Sequence, residues 1–225
     1  MTTKNKNIKR TPAVIVVMSL LAGFGIGFLV YSVVSGNTVV TQPIAAGTAS
    51  KNADIVAEAS EETPPVAAAV DSYTVPADEP RMIKIDSLNI NARVRSMGIN
   101  SINAIAAPVN IHDSGWYNGS AKPGTNGAVF IDGHASGTTR KGLFAYIDTL
   151  KDGNMVSIER GDGQVLNYKV VHVDTVSKDS VDMGKVLSTF DGAAEGLNMM
   201  TCTGTWLPEQ KTYDKRAIVY TVRVS

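Results

Sequence analysis

Residues 197–224 read LNMMTCTGTWLPEQKTYDKRAIVYTVRV, and this stretch decides how the C-terminal part of the chain is built. In its last eight positions Ile218, Tyr220, Val222 and Val224 share one face, the period-two alternation of a half-buried strand. Positions 197–201 form a second apolar strand. Between them TGTWLPEQKTYDK, residues 203–215, holds Gly, Pro and turn formers and reads as a loop joining antiparallel neighbours. Working outward, apolar runs at 82–85, 92–95, 128–132, 155–160 and 165–174 are cut by Gly, Asn and Asp and read as further strands. Two stretches read as short helices, one at 142–150 and one between 180 and 190. Strands dominate, no repeat is present, and residues 81–225 suit a single mainly-β barrel or sandwich.

Upstream the composition changes twice. Residues 13–34 read AVIVVMSLLAGFGIGFLVYSVV, an uncharged run whose length as a helix, about 33 Å, spans a hydrocarbon core of about 30 Å. Lys4, Lys6, Lys9 and Arg10 precede it and no base comes after it until Lys51, which places segment 1–12 in the cytoplasm. The competing reading is a cleaved secretory signal, with Ala45, Ala46 and Gly47 as small residues downstream; the run is longer than the usual apolar region of such a signal, which favours an uncleaved anchor. Either reading exports the chain from residue 35 onward. Gly23 and Gly27 give a GxxxG spacing that lets two such helices approach closely, the basis for expecting a weak homodimer. Residues 35–80 are rich in Ala, Thr, Ser, Pro and acids and read as a disordered extracytoplasmic tether, spanning roughly 40 Å as a coil.

The formal net charge of zero averages unlike parts: four bases and no acid in 1–34, one base against seven acids in 35–80, 16 bases against 14 acids in 81–225. No segment carries a basic stripe, which argues against nucleic acid as a partner. The single Cys excludes a disulfide framework and multi-cysteine metal sites, and His112, His134 and His172 lack metal-ligand spacing, so neither a metal nor another cofactor is expected.

Cys202 stands just past an apolar strand, between Thr201 and Thr203. A packing cysteine sits within an apolar run, whereas an accessible lone thiol on an exported chain oxidises readily and needs a reason. It reads as a nucleophile, with a buried spectator and an intermolecular disulfide as the alternatives. A thiol nucleophile needs a base within reach. His134 ends the strand of GAVFIDGH and is the favoured partner; His112 lies in a loop and stays open, and His172 lies mid-strand in YKVVHVD. Arg216 opens the last strand, and the antiparallel connection brings it toward Cys202, where a guanidinium can donate to a developing oxyanion. A solvated surface arginine is the competing reading.

Three segments together resemble the sortase family: the apolar strand running into Gly133-His134, then MMTC at 199–202, then YDKR at 213–216 leading into the last strand. The second is similar to the family's Leu-x-Thr-Cys signature with Met199 in the leucine's place. RMIKIDSLNINARV resembles the opening strand pair, GWYNGSAKPGTNGAVFIDGH the run from a Trp-Tyr pair to the histidine, and GLFAYIDTLKDGNMVSI the short helix and next strand. The details look more like classes D, E and F than class A, although Thr203-Gly204 departs from the Cys-Gly-Gly often seen there. The resemblance covers 81–225 and implies an eight-stranded barrel and a cysteine transpeptidase. Cys202 would attack the Thr–Gly bond of a Leu-Pro-x-Thr-Gly-like sorting signal on an exported protein and form a thioacyl enzyme. His134 would serve as general acid and then base, and Arg216 would hold substrate and oxyanion. An amine on a cell-wall precursor or a pilin lysine would be the acceptor. No acidic cluster supports carrying over the calcium site of class A. Other readings are an L,D-transpeptidase, whose His and Cys are nearly adjacent, a papain-like peptidase, whose Cys precedes its His, and a silent membrane-tethered binding domain.

Overall fold

The computed structural model describes residues 61–224 together with an antiparallel pairing of Val33–Ser35 and Thr38–Val40. That pairing belongs to a unit spanning residues 1–49, and an eight-stranded barrel to a unit spanning 50–225. The expected anchor at 13–34 lies outside the described residues, except that Val33 and Val34, assigned to its helical end, are in strand. Among the described residues no helix is long and apolar enough to cross a membrane.

The eight barrel strands are β1 (Pro80–Ile85), β2 (Ile90–Met97), β3 (Ser114–Tyr117), β4 (Gly127–Gly133), β5 (Met155–Arg160), β6 (Val165–Ser177), β7 (Glu195–Leu207) and β8 (Thr212–Val224). Around the barrel their order is β8-β6-β5-β1-β2-β3-β4-β7, with β7 and β8 closing it. Neighbours are antiparallel except for two parallel pairs, β2 with β3 and β4 with β7.

Alternation sorts the side chains. Val129, Ile131, Leu197, Met199 and Val219 point into the barrel with Ile83, Ile158, Trp116 and Tyr168. Phe130, Met200, Ile218 and Tyr220 point outward and are covered by Ile105 and Val186. The parallel pair β4–β7 is thus buried on both faces, which is why VFI reads as a continuous apolar run and LNMM as one interrupted only by Asn198. Asn198, fully buried, donates through Nδ2 to the carbonyls of Val186 and Ser188 at 2.7 Å each and so ties the 178–194 connection to this outer face.

Three expectations change. Residues 61–80, read as tether, lie on the domain. Glu61 bridges to Asn110, α1 (Ala67–Asp71) comes next, and the Tyr73 hydroxyl donates to the Val94 carbonyl at 2.7 Å. The acids that made this stretch look solvated find fixed partners there. The strand β3 was not anticipated, because Ser114 and Gly115 supply no apolar pattern; Gly115 is small where a Cβ would meet the Asp132 side chain at 2.5 Å. Positions 203–215 are largely strand, with only a turn at 208–211 between β7 and β8. There the register shifts between Tyr213 and Lys215, and Gly204 takes φ +89°, so two residues of β7 oppose Asp214. The Gly that signalled a loop makes a bulge. The helical readings hold only as a 3₁₀ turn at Ile147–Thr149 and the single turn α2 (Met183–Val186).

Candidate active site

Cys202 sits within β7, not at its end, and pairs directly with Arg216 of β8 across the antiparallel ladder. On its other side β7 runs parallel to β4, with Ile131 opposite Met199 and Asp132 opposite Met200. The Thr201 hydroxyl donates to the Gly133 carbonyl at 2.8 Å and carries the register one step further. His134 follows directly after β4, one residue beyond the Gly133 carbonyl. Cys202 and Arg216 therefore face each other on adjacent strands, and His134 directly follows β4, which borders β7 on its other side.

His134 is 7% exposed, and its Nε2 lies 2.7 Å from the Pro108 carbonyl. A carbonyl oxygen only accepts, so Nε2 carries a proton and Nδ1 is the basic nitrogen of the neutral ring. Burial pushes the imidazole below its ordinary value, against the Pro108 carbonyl, which favours the cation. Gly142 N–H and Phe144 N–H close the loop after His134 back onto the Ala135 and His134 carbonyls at 2.9 and 3.0 Å. A Cβ on Gly142 would collide with the His134 carbonyl, so this return needs glycine.

Arg216 is 3% exposed and is held by its own strand. Nη1 donates to the Tyr213 and Lys215 carbonyls at 2.9 Å each, and Nη2 donates to the Thr212 hydroxyl at 3.1 Å. These bonds engage three of the five guanidinium N–H groups. Burial pushes the Cys202 thiol up; the Arg216 charge, the Thr212 hydroxyl, and the Tyr213 backbone N–H draw it back, while Asp132 adds to the rise. Thr212 thus accepts from the guanidinium and faces the sulfur, a link that nothing in the sequence pattern signalled. Asp132 is buried, and burial raises its carboxyl well above the usual range.

The other histidines go elsewhere. His112 Nε2 lies 3.2 Å from the Glu62 carbonyl, and His172 stacks on Phe190 with ring centres 5.5 Å apart. The loop after His134 is fastened to β8 by a 2.8 Å hydrogen bond between Ser136 Oγ and the Tyr213 hydroxyl. Among the described residues no group of three or more His, Cys, Asp or Glu gathers as a metal site.

The family model described as the sortase domain matches residues 83–224. Similar solved structures include sortase A from Corynebacterium diphtheriae, 20% identical, covering 65% of this chain and 61% of its own, TM-score 0.49. Its lid mutant is 21% identical over 69% of this chain and 74% of that one, TM-score 0.51. Sortase C from Streptococcus pneumoniae is 19% identical over 73% and 76%, TM-score 0.50. The chain thus spans less than two thirds of the first of these. No curated protein matches by sequence.

Proposed function

The chain belongs to the sortase family, and from that premise we propose that it is a membrane-anchored cysteine transpeptidase. It cleaves a Leu-Pro-x-Thr-Gly-like sorting signal and joins the exported protein to a surface amine. Support comes above all from one observation: Cys202 pairs directly with Arg216 across the β7–β8 ladder, while the strand that leads into His134 lies along the other edge of β7.

The groups in place define the reaction. His134 Nδ1 takes the Cys202 proton as Sγ attacks the Thr carbonyl carbon of the signal. The carbonyl oxygen becomes an oxyanion, which accepts from the Arg216 guanidinium. Collapse expels the Gly amine, which takes the proton from His134, and leaves a thioacyl bond to Cys202. An incoming amine then gives a proton to His134 and attacks that thioester; the thiolate leaves and regains its proton. Burial favours both neutral forms, thiol and imidazole, over the ion pair. The anchor at 13–34 holds the enzyme on the outer membrane face with residues 1–12 inside, where translocated proteins emerge. A cell-wall precursor or a pilin lysine supplies the acceptor amine.

The test is incubation of the chain with a library of Leu-Pro-x-Thr-Gly peptides and an amine, with mass spectrometry of products. Ligated product together with a thioester adduct on Cys202 is expected; no adduct with any peptide would exclude the transpeptidase reading.

A further inference from the structure

The barrel closes without residues 61–63, which precede the family-matched region. Yet this short strap makes specific bonds, and all of them go to the two loops that flank His134. On one side Glu61 N–H donates to the Val109 carbonyl at 2.8 Å, and Ile111 N–H donates to the Glu61 carbonyl at 2.9 Å. Asn110 Nδ2 donates to the Thr63 carbonyl at 2.8 Å. Those bonds fix the loop whose Pro108 carbonyl receives His134 Nε2–H. On the other side the Glu62 carboxylate accepts from the Thr139 N–H at 3.0 Å, from the Thr138 N–H and from the Thr139 hydroxyl. Gly137 leaves room for this grip, since a Cβ there would collide with the Glu62 carboxylate. The same loop begins at His134 and is tied to Tyr213 through Ser136.

We propose that Glu62 is a positioning residue for His134. Its carboxylate clamps the loop after the histidine while its neighbours hold the Pro108 carbonyl in place, so the ring keeps Nε2–H fixed and Nδ1 basic. A base oriented by a third group is the usual requirement for an activated nucleophile, and here the orienting carbonyl belongs to a loop braced from outside the barrel. The Thr139 hydroxyl and the two N–H groups hold the carboxyl below its usual range, so the clamp is charged at neutral pH. The active site therefore begins some twenty residues before the family-matched region. The kinetic consequence rests on the transpeptidase reading; the tautomer does not.

The experiment compares the full chain with E62A, E62Q and T139V in two measurements. Imidazole ¹⁵N shifts report the His134 tautomer without reference to activity. Steady-state ligation of a Leu-Pro-x-Thr-Gly peptide to hydroxylamine reports kcat and KM separately. E62A should turn the fixed Nε2–H form into a tautomer mixture and lower kcat about 10- to 100-fold, as misplacement of a catalytic group by about 1 Å does, with KM nearly unchanged. E62Q keeps an acceptor oxygen and should recover part of kcat. T139V tests the same clamp where E62A does not fold, and should move both readouts in the same direction. A His134 tautomer that stays fixed in both E62A and T139V would overturn the proposal, as would kcat within two-fold of wild type in both. If the wild type ligates no peptide, the transpeptidase reading fails while the tautomer measurement still decides the positioning.

Discussion

In the proposed reaction Cys202, His134 and Arg216 divide the chemistry, and each has a substitution that isolates its part. Cys202→Ala should abolish cleavage and thioester capture with the fold intact by circular dichroism. His134→Ala should cost about 10²–10⁴-fold in turnover, whereas His112→Ala and His172→Ala should cost little, since His112 meets the Glu62 carbonyl and His172 stacks on Phe190. Arg216→Lys should resemble Arg216→Ala, because a lysine keeps the charge but cannot make the fork that holds Tyr213, Lys215 and Thr212 and still face an oxyanion. Loss of one such donor is worth about 10²–10³-fold in kcat, roughly 2.7–4 kcal/mol. Near-normal turnover of Arg216→Lys would remove the oriented-donor role. Two opposite shifts set the pH profile. The working thiolate–imidazolium pair and the resting thiol–imidazole pair hold the same number of protons, so their ratio is flat between the two apparent pKa values. Protonation of His134 ends the flat region on the acid side, below its ordinary value of about 6.5, since burial lowers it. Ionisation of Cys202 ends it on the alkaline side, above the ordinary thiol value of about 8.5, since burial raises it. A kcat/KM plateau wider than these ordinary values allow is the expected result; a narrow bell inside them would contradict it.

At the scale of elements, the site is a seam between strands set by two ladders, and one side-chain bond extends the β4–β7 ladder by a step. Thr201 is 4% exposed, and its hydroxyl joins β7 to β4 at the Gly133 carbonyl. Thr201→Val keeps the shape and removes the donor, leaving a carbonyl short of a partner in the interior. A loss of about 1–3 kcal/mol is expected from denaturant unfolding, with unchanged m-value. The bulge opposite Asp214 is the second device. Asp214 accepts from the Thr205 N–H at 2.7 Å, and a Cβ on Gly204 would collide with the same carboxylate. With a left-handed φ as well, Gly204→Ala should destabilise by about 1–2 kcal/mol. Because the bulge sits between Cys202 and the turn, turnover should fall with it; a variant as stable as wild type would show that the strand pair absorbs the change.

For the domain as a whole, the working boundary lies before residue 61 rather than at 81. Arg81 bonds the Tyr73 carbonyl at 3.0 Å and pairs with Glu159, and Tyr73 in turn reaches Val94, with the Arg95 guanidinium 4.9 Å above its ring. Limited proteolysis should leave a resistant core that retains 61–80. Cleavage within 61–80 as the first event would show that these contacts are too weak to count as domain. Composition pointed the other way because Glu61, Glu62, Asp78 and Glu79 look like solvated acids when only residue types are counted. In space Glu62 grips Thr139, and Asp78 lies 2.7 Å from Lys122. Both partners are distant in sequence, so no local window contains them.

What the sequence determined by itself was whatever has a short range. Alternation in 217–224 defined a strand and its faces, the runs at 128–132 and 197–201 defined buried strands, and a lone cysteine preceded by threonine marked the seam. The family motifs carried the barrel, and they nominated Cys202, His134 and Arg216 as the residues to test. Tertiary structure alone decided the rest. It set Arg216 directly opposite Cys202 where the antiparallel connection had only brought it near, made β3 a strand, and turned Gly204 from loop into bulge. It also aimed His134 at Pro108 and brought Glu62 across to Thr139. Local pattern reports how each residue prefers to lie and which face it buries. Which hydrogen-bonding groups a buried ring or carboxylate meets depends on chain segments dozens of residues away, and that is settled only when the barrel closes.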